Sequence, residues 1–440
     1  MQLAGLLLAL VVLVTLSLLG VDLIVITFIS SIIVIVTSGL DWQTALLSME
    51  VSSYLSKFSA YVGQWMFVMA LGALFGKIMS ETKSAHTIAV WVTERLGTKY
   101  CVFAIGLVTC LLTWAGISGF VIMFVIAPLA LVMMKENNIP RFLLPAIITF
   151  GNVPACGTLP YSIDVTNIIP TAYLGTNLGS APVLGIIGGL IIFACGYIYV
   201  MNCIRKSHVS MDTAAVAATF QGIEMEEYDR ESWPPLWKAF MPLLVIIAVV
   251  FPAQQVMDSI PAVMLALGGA CVTGLLLNWK QLEGRRASTV KEGVSSGINS
   301  LCTAAAVMGF SGVVQLSPVF PEIIEAVMNL NLNAYLKEFV AINVLSGVVG
   351  SSTSGVTIFM DNLSKRFLDM GLNPAAIHRL APVSGCGLNS LPNGISVSIT
   401  MSYTKVSYRD GYWQVFVTSV IFPLIAGAVV SVLCIAGFIC

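Results

Sequence analysis

The chain has 440 residues, of which 57% are hydrophobic and only 10% charged, with a net charge of -1 and a mean hydropathy of +0.92. A soluble domain carries ~25% charged residues, so this composition excludes an ordinary soluble enzyme and describes an all-α polytopic membrane protein. With no basic surplus to neutralise phosphates, it also gives no reason to expect a nucleic-acid partner.

The amino terminus is apolar from Leu3 and has no Lys or Arg before Lys57. It lacks the positive region of a cleavable signal peptide and is expected to be mature structure. A span needs about 20 apolar residues, and the pattern predicts candidates at Leu3 to Leu19, Leu23 to Ser38, Val62 to Phe75, Tyr100 to Ala115, Ile117 to Met134, a broken span from Leu143 to Leu174, and Ala181 to Cys203. A polar stretch with Glu224, Glu226, Glu227, Asp229, Arg230, Glu231 and Pro234-Pro235 follows, which reads as a solvated linker. Predicted spans then resume at Phe240 to Pro252 and Ile260 to Trp279. After a charged arm with Lys280, Arg285, Arg286 and Lys291 come Ile298 to Leu316, Glu338 to Phe359, a broken span from Ala375 to Tyr403, and Tyr412 to Phe438. The organisation is a first membrane repeat over 1–204, a linker over 205–237 and a second repeat over 238–440. The 10 cysteines have neither metal-ligand spacing nor a pairing pattern and read as small hydrophobes in a reduced protein.

The two broken spans carry most of the information. Gly157-Thr158-Leu159-Pro160 and Asn389-Ser390-Leu391-Pro392 place Gly, Pro and small polar residues where a simple span has Leu. Unpaired backbone at membrane depth survives only when buried in protein or lining a cavity, and two breaks in corresponding positions mark the midplane site of a secondary transporter. From Pro160 to Pro392 the offset is 232, which carries Gly116-Ile117-Ser118-Gly119 onto Val348-Val349-Gly350-Ser351. Each half therefore reads as a hairpin followed by a discontinuous helix, the pair forming two inverted repeats. The uncharged run from Cys101 to Met134 fits a re-entrant helical hairpin or two ordinary spans. Gly350-Ser351-Ser352-Thr353-Ser354-Gly355 offers hydroxyls and backbone amides, and a helix N-terminus there would suit an anion.

Ser118, Asn152, Thr158, Tyr161, Ser351, Ser352, Thr353, Ser354, Asn389, Ser390 and Asn393 are the candidate substrate-binding residues. Asp164 is the only charge between Phe142 and Ile204; it is expected to carry ion coupling, with Thr166, Asn167 and Ser396, or else to cap the distal half-helix. No arginine is evident inside a span as a carboxylate clamp, and the histidines, His86, His208 and His378, are placed in charged or polar flanks. Gly116-Ile117-Ser118-Gly119 matches the Gly-x-Ser-Gly of rhomboid-type intramembrane proteases, but a serine nucleophile needs a base in reach. Gly385-Cys386-Gly387-Leu388 lacks the Asp of an aspartyl intramembrane protease. No enzymatic activity is expected, and a passive channel fits the duplicated breaks less well than alternating access. Lys77, Lys83, Arg95 and Lys99 place their connection on the cytoplasmic side.

His378-Arg379-Leu380-Ala381 through Gly387-Leu388-Asn389-Ser390-Leu391-Pro392-Asn393-Gly394, with Tyr408 and the apolar end, resembles the carboxy-terminal signature of the gluconate:proton symporter (GntP) family. Gly72-Ala73-Leu74-Phe75-Gly76-Lys77-Ile78-Met79, Ile88-Ala89, Ala127-Pro128-Leu129 and the Leu159-Pro160 break are similar to its other landmarks. The resemblance implies a carrier of gluconate-like sugar acids, small hydroxy acids or D-serine in the inner (cytoplasmic) cell membrane, with protons preferred over sodium as coupling ion and no cofactor. It also implies a place in the ion transporter superfamily, with a homodimer, inverted repeats and an elevator-like transport domain. The chain departs from the family pattern at Asn389, where Asp is frequent, at Pro392-Asn393-Gly394, which lacks the usual His, at Pro160-Tyr161-Ser162, which replaces a His-containing sequence, and near Phe120, where an acidic residue is common.

Overall fold

A computed structural model describes residues 2–19, 21–85, 87–88, 91, 98–114, 119–162, 164–220, 233–253, 256–257 and 259–439. Among them every regular element is helical, and five helices are long and apolar enough to cross a membrane: Tyr54–Glu81, Pro182–Ser210, Ile260–Leu277, Arg286–Leu316 and Tyr408–Ile435. Shorter apolar helices accompany them at Gln2–Leu18, Leu23–Ser38, Thr98–Trp114 and Leu236–Ala253. The chain is thus a multi-pass helical membrane protein. Both expected interruptions are present as helix ends: one helix stops at Asn152 and the next starts at Val165, and one stops at Gly385 with the next starting at Ile395.

Two long helices form the central pair, and each outruns its predicted apolar stretch. Tyr54–Glu81 packs along Arg286–Leu316, with Gly293 on Leu74 and Lys77, Gly297 on Met69 and Ala70, Gly309 on Tyr54, and Gly312 on Ser53 and Lys57. The contacts run in opposite order along the two helices, so the pair is antiparallel. Glycines at this seam let backbones approach closely, the usual means of helix association in lipid. The segment expected to be a charged surface arm is partly helical: Lys291 and Glu292 sit inside Arg286–Leu316. Charge pairing extends the helices past their apolar cores, because Lys77 bridges Glu81 at 3.0 Å and Glu292 at 2.8 Å, and Arg285 reaches Glu81 at 3.1 Å.

Further packing is reciprocal. Leu23–Ser38 lies against Arg286–Leu316, and Ser259–Leu277 lies against Tyr54–Glu81. Helix Ser352–Asn362 packs on Val165–Leu174, where the Tyr173 hydroxyl donates to Asp361, and helix Gly119–Glu136 packs on Ile395–Thr404, where the Thr400 hydroxyl meets the Met123 thioether at 2.9 Å. The polar connection after Ser210 begins with a short helix, Thr213–Ala218, capped by Asp212. The acidic stretch Glu224 to Glu231, the Gly116-Ile117-Ser118 turn, His86 and Arg95 lie outside the described residues.

The central seam gives a direct test. A Cβ on Gly297 would stand 2.5 Å from the Met69 carbonyl and 2.9 Å from Ala70 Cα, whereas one on Gly268 would meet nothing. Gly297→Val should lower stability by about 1–3 kcal/mol through overpacking, and Gly268→Ala should not. Thermal unfolding of the purified proteins in detergent measures both.

Candidate functional site

The first interruption is built by prolines and closed by an arginine. Helix Leu144–Asn152 passes into a single tight turn at Val153–Ala155, which contains Pro154. Gly157 then turns with φ +78°, pressed so closely on Thr166 and Pro382 that a Cβ would lie 2.7 Å from the Pro382 ring. The carbonyls freed by this irregular path need donors, since water is not at hand in the bilayer interior. Arg379 supplies them. Its Nη1 donates to the Gly157 carbonyl at 2.9 Å, the Thr158 carbonyl at 3.3 Å and Asn167 Oδ1 at 3.0 Å; Nη2 donates to Leu178 at 2.8 Å and Nε to Ser180 at 2.9 Å. The side chain is fully buried.

Asn167 organises the other side of this cage. Its Nδ2 donates to the carbonyls of Ser162 at 2.8 Å and Leu178 at 3.2 Å, which leaves Oδ1 to accept from Arg379 and from His378 Nε2 at 3.0 Å. His378 therefore carries its hydrogen on Nε2, and its Nδ1 accepts from the Thr176 hydroxyl at 2.6 Å. The flank positions expected for His378 and the absence of an arginine inside a span are both corrected here: helix Pro374–Gly385 is buried along nearly its whole length and carries both residues into the first break. Asp164 is accordingly one of several ionisable residues near the break. It caps helix Val165–Leu174, its Oδ1 accepting from the Thr166 amide at 2.9 Å and the Thr166 hydroxyl at 2.5 Å.

The remaining first-break candidates divide. Asn152 is buried and its Oδ1 accepts from the Thr113 hydroxyl at 2.8 Å; the Thr158 hydroxyl is buried with no hydrogen-bond partner. Tyr161 is exposed, in a left-handed conformation with φ +60°, and its ring covers Gly179 rather than the break. Ser118 lies outside the described residues. The arm that precedes it still touches the break, since Trp114 Nε1 donates to the Pro160 carbonyl at 2.9 Å.

At the second interruption all the donors are neutral. After Gly385 a tight turn at Leu388–Ser390 leads to helix Ile395–Thr404. Asn343 Oδ1 accepts from the Leu388 amide at 3.2 Å, and Asn393 Nδ2 donates to the Gly347 carbonyl at 2.8 Å. Asn389 and Ser390 are bonded to each other at 3.2 Å, with the Tyr412 hydroxyl on the Ser390 carbonyl. The hairpin of helices Ala334–Val349 and Ser352–Asn362 docks here by its tip: the Ile395 amide donates to the Gly350 carbonyl at 3.0 Å, and Gly350 takes φ +70°. Ser351 caps the second arm by accepting from the Ser354 amide at 3.2 Å, whereas Gly394, which caps Ile395–Thr404, has no side chain to offer. The N-termini of two helices thus meet at one contact, with Ser351, Ser352, Thr353, Ser354, Asn389, Ser390, Asn393 and Ser396 around it. First-turn amides have no intrahelical acceptor, and their dipoles favour an anion.

The pieces are contiguous. Gly157 abuts Pro382, the Cys386 thiol meets the Cys156 carbonyl at 3.4 Å, and Gly385 faces Ser352. Arg379, His378 and Asn343 escaped the sequence reading, although Arg379 stands within the stretch Ala375 to Tyr403 predicted to be membrane-embedded, a position where a cation needs a partner. Arg379→Met should strand buried carbonyls at roughly 1–3 kcal/mol each and abolish stable folding. Arg379→Lys should recover only part, because a point charge cannot reach donors' targets in three directions. Yield and thermal unfolding after purification read both outcomes.

The sequence has relatives along most of its length. The sequence matches the family model described as GntP family permease over residues 1–435. It is 24% identical over 424 residues to the Uncharacterized transporter YxjC of Bacillus subtilis (strain 168), covering 88% of this chain and 90% of that protein. It is 22% identical over 401 residues to the High-affinity gluconate transporter of Escherichia coli (strain K12), covering 85% of each. An Uncharacterized transporter of Haemophilus influenzae (strain ATCC 51907 / DSM 11121 / KW20 / Rd) is 20% identical over 330 residues, with 75% of this chain and 74% of that protein covered. On the match along almost its entire length, the chain belongs to the GntP family of permeases.

Proposed function

We propose that the protein is an ion-coupled secondary transporter of a small organic acid, working by alternating access. The observation that carries the reading is the meeting of two helix N-termini, Ser352–Asn362 and Ile395–Thr404, at a neutral, hydroxyl-rich contact between hairpin tip and interrupted helix. The carboxylate would lie against the first-turn amides and hydroxyls of Ser351, Ser352, Thr353 and Ser354, with the cargo's hydroxyl groups on Asn152, Thr158, Asn389, Ser390 and Asn393. Gluconate-like sugar acids, small hydroxy acids and D-serine are the cargo class, in keeping with the gluconate transporter among the relatives.

We further infer two inverted repeats, each with a re-entrant hairpin and a discontinuous helix. The offset of 232 that joins the Leu-Pro breaks also carries Tyr54 onto Arg286, the first residues of the two long helices. Counterpart helices that pack antiparallel are what a pseudo-two-fold axis in the membrane plane requires, and the reciprocal neighbour contacts support the same axis. A homodimer in the cytoplasmic membrane with a moving transport domain completes the reading.

Two outcomes test it. In a thermal-shift screen against sugar acids, hydroxy acids and D-serine, with and without sodium, the cargo should raise the unfolding temperature, because ligand binds the folded state alone. Ser352→Leu should keep fold and yield but lose that stabilisation, each unpaired binding hydrogen bond costing about 1–3 kcal/mol; unchanged affinity would remove the tip from the site. For ion coupling the geometry favours the capping role of Asp164. Asn is an equally good N-cap, so Asp164→Asn should retain both folding and gradient-driven accumulation in proteoliposomes, and a loss of accumulation would return the coupling role to Asp164.

A further inference from the structure

Glu338 plays no part in the site described above. It lies one turn into helix Ala334–Val349, is fully buried, and has no hydrogen-bond partner on either carboxylate oxygen. The turn that carries it, between Tyr335 and Phe339, packs on a small apolar core of Ala181, Leu184, Ala376, Leu380, Val430 and Cys434.

Its surroundings hold no counter-charge among the described residues. Tyr335 and Cys434 are the titratable groups within electrostatic reach, and the Tyr335 hydroxyl already accepts from the Asn373 amide. Lys337 is engaged with the Met328 carbonyl. On the facing helix Pro374–Gly385, His378 and Arg379 are committed to the first break. Asp361 on Ser352–Asn362 is held by Tyr173, Glu322 and Glu325 on Val319–Met328 are exposed, and Lys291 and Glu292 are exposed near the opposite end of Arg286–Leu316. An ionised carboxylate so placed would bear the full penalty of leaving water with nothing to offset it; a neutral carboxylic acid bears far less.

The helix that holds this group also holds the second break. Asn343, Gly347 and Gly350 on or just beyond the same helix make its contacts to Leu388, Asn393 and Ile395, and Ala376 and Leu380 belong to the helix that supplies Arg379. A charge appearing at Glu338 would therefore be felt by the hairpin and by the interrupted helix together.

We propose that Glu338 is the proton-binding group of the transport cycle, neutral in the conformation described here and releasing its proton to water when the core around it opens. The O–H bond breaks, water takes the proton, and the carboxylate left behind is stable only while solvated; reclosure requires a proton from the other side. The inference rests on the carrier reading, and the test separates the two.

Infrared spectra of the full-length protein in liposomes at neutral pH should contain a protonated-carboxyl C=O band that Glu338→Gln removes and Asp164→Asn leaves. Glu338→Asp should shift the band, which keeps the test valid if the glutamine variant folds poorly. A spectrum unchanged in both Glu338 variants would overturn the proposal. With D-gluconate as probe, Glu338→Gln should retain counterflow but show no accumulation driven by a pH gradient, and wild-type accumulation by that variant would equally overturn it. A wild-type protein that shows the band yet moves no gluconate would reject gluconate as cargo, while the spectrum still decides the protonation of Glu338.

Discussion

The guanidinium of Arg379 inside the first break is the constraint on which the rest of the architecture depends. An interrupted helix at membrane depth exposes carbonyls that neither its own helix nor lipid can satisfy. Here they are gathered around a planar cation with five donors in fixed directions, a geometry no other side chain offers. Because the cation comes from the second half of the chain and the carbonyls from the first, the interruption cannot be completed by its own half. His378 and Thr176 extend the cage by orienting Asn167, so a buried polar network, fully satisfied at its centre, holds two distant helices in one register.

The breaks themselves were legible because their cause is local. Pro154 and Pro160 remove donors, Gly157 and Gly350 accept positive φ, and such residues mark irregular backbone wherever they fall. The plug was illegible for the opposite reason. Asn373-Pro374 is a strong helix start, and charges one turn after a helix start normally belong to a wet flank, so His378 reads as a polar flank and nothing local marks Arg379 as a clamp. Glu338 stands at the start of the predicted span to Phe359, where nothing local tells a buried carboxyl from a wet one. The long helices show a milder version: apolar runs located their centres, but Tyr54–Glu81 and Arg286–Leu316 continue because Lys77, Glu81, Arg285 and Glu292 satisfy one another across the pair. Sequence pattern reports what a residue prefers, and pairing across the fold reports what it is allowed.

The glycine seam between those long helices bears on the proposed repeat. A duplicated segment inserted in opposite orientations must meet its copy head to tail, and close packing at that meeting needs small residues on at least one partner. The second helix meets this need at Gly293, Gly297, Gly309 and Gly312, which face Ser53, Tyr54, Lys57, Met69, Ala70 and Leu74 of the first. On the proposed repeat, the two copies have diverged in residue type while keeping their packing, which is why a pattern offset survives where identity between the halves does not.

The same divergence distinguishes the two breaks, and the distinction matters for a carrier. A break locked by a multiply bonded cation resists rearrangement, since moving Arg379 would strand several carbonyls at once. A break held by single amide contacts, Asn343 on Leu388 and Asn393 on Gly347, can exchange partners one at a time. On the proposed mechanism the first interruption would therefore serve as the rigid floor of the cargo site and the second, with its hairpin tip, as the part that yields. An anion arriving at the N-terminus of Ile395–Thr404, where Gly394 offers no side-chain cap, would find dipoles without a fixed counter-charge. Such neutral recognition holds a carboxylate without a buried salt bridge, whose loss on release would leave an uncompensated cation in the membrane.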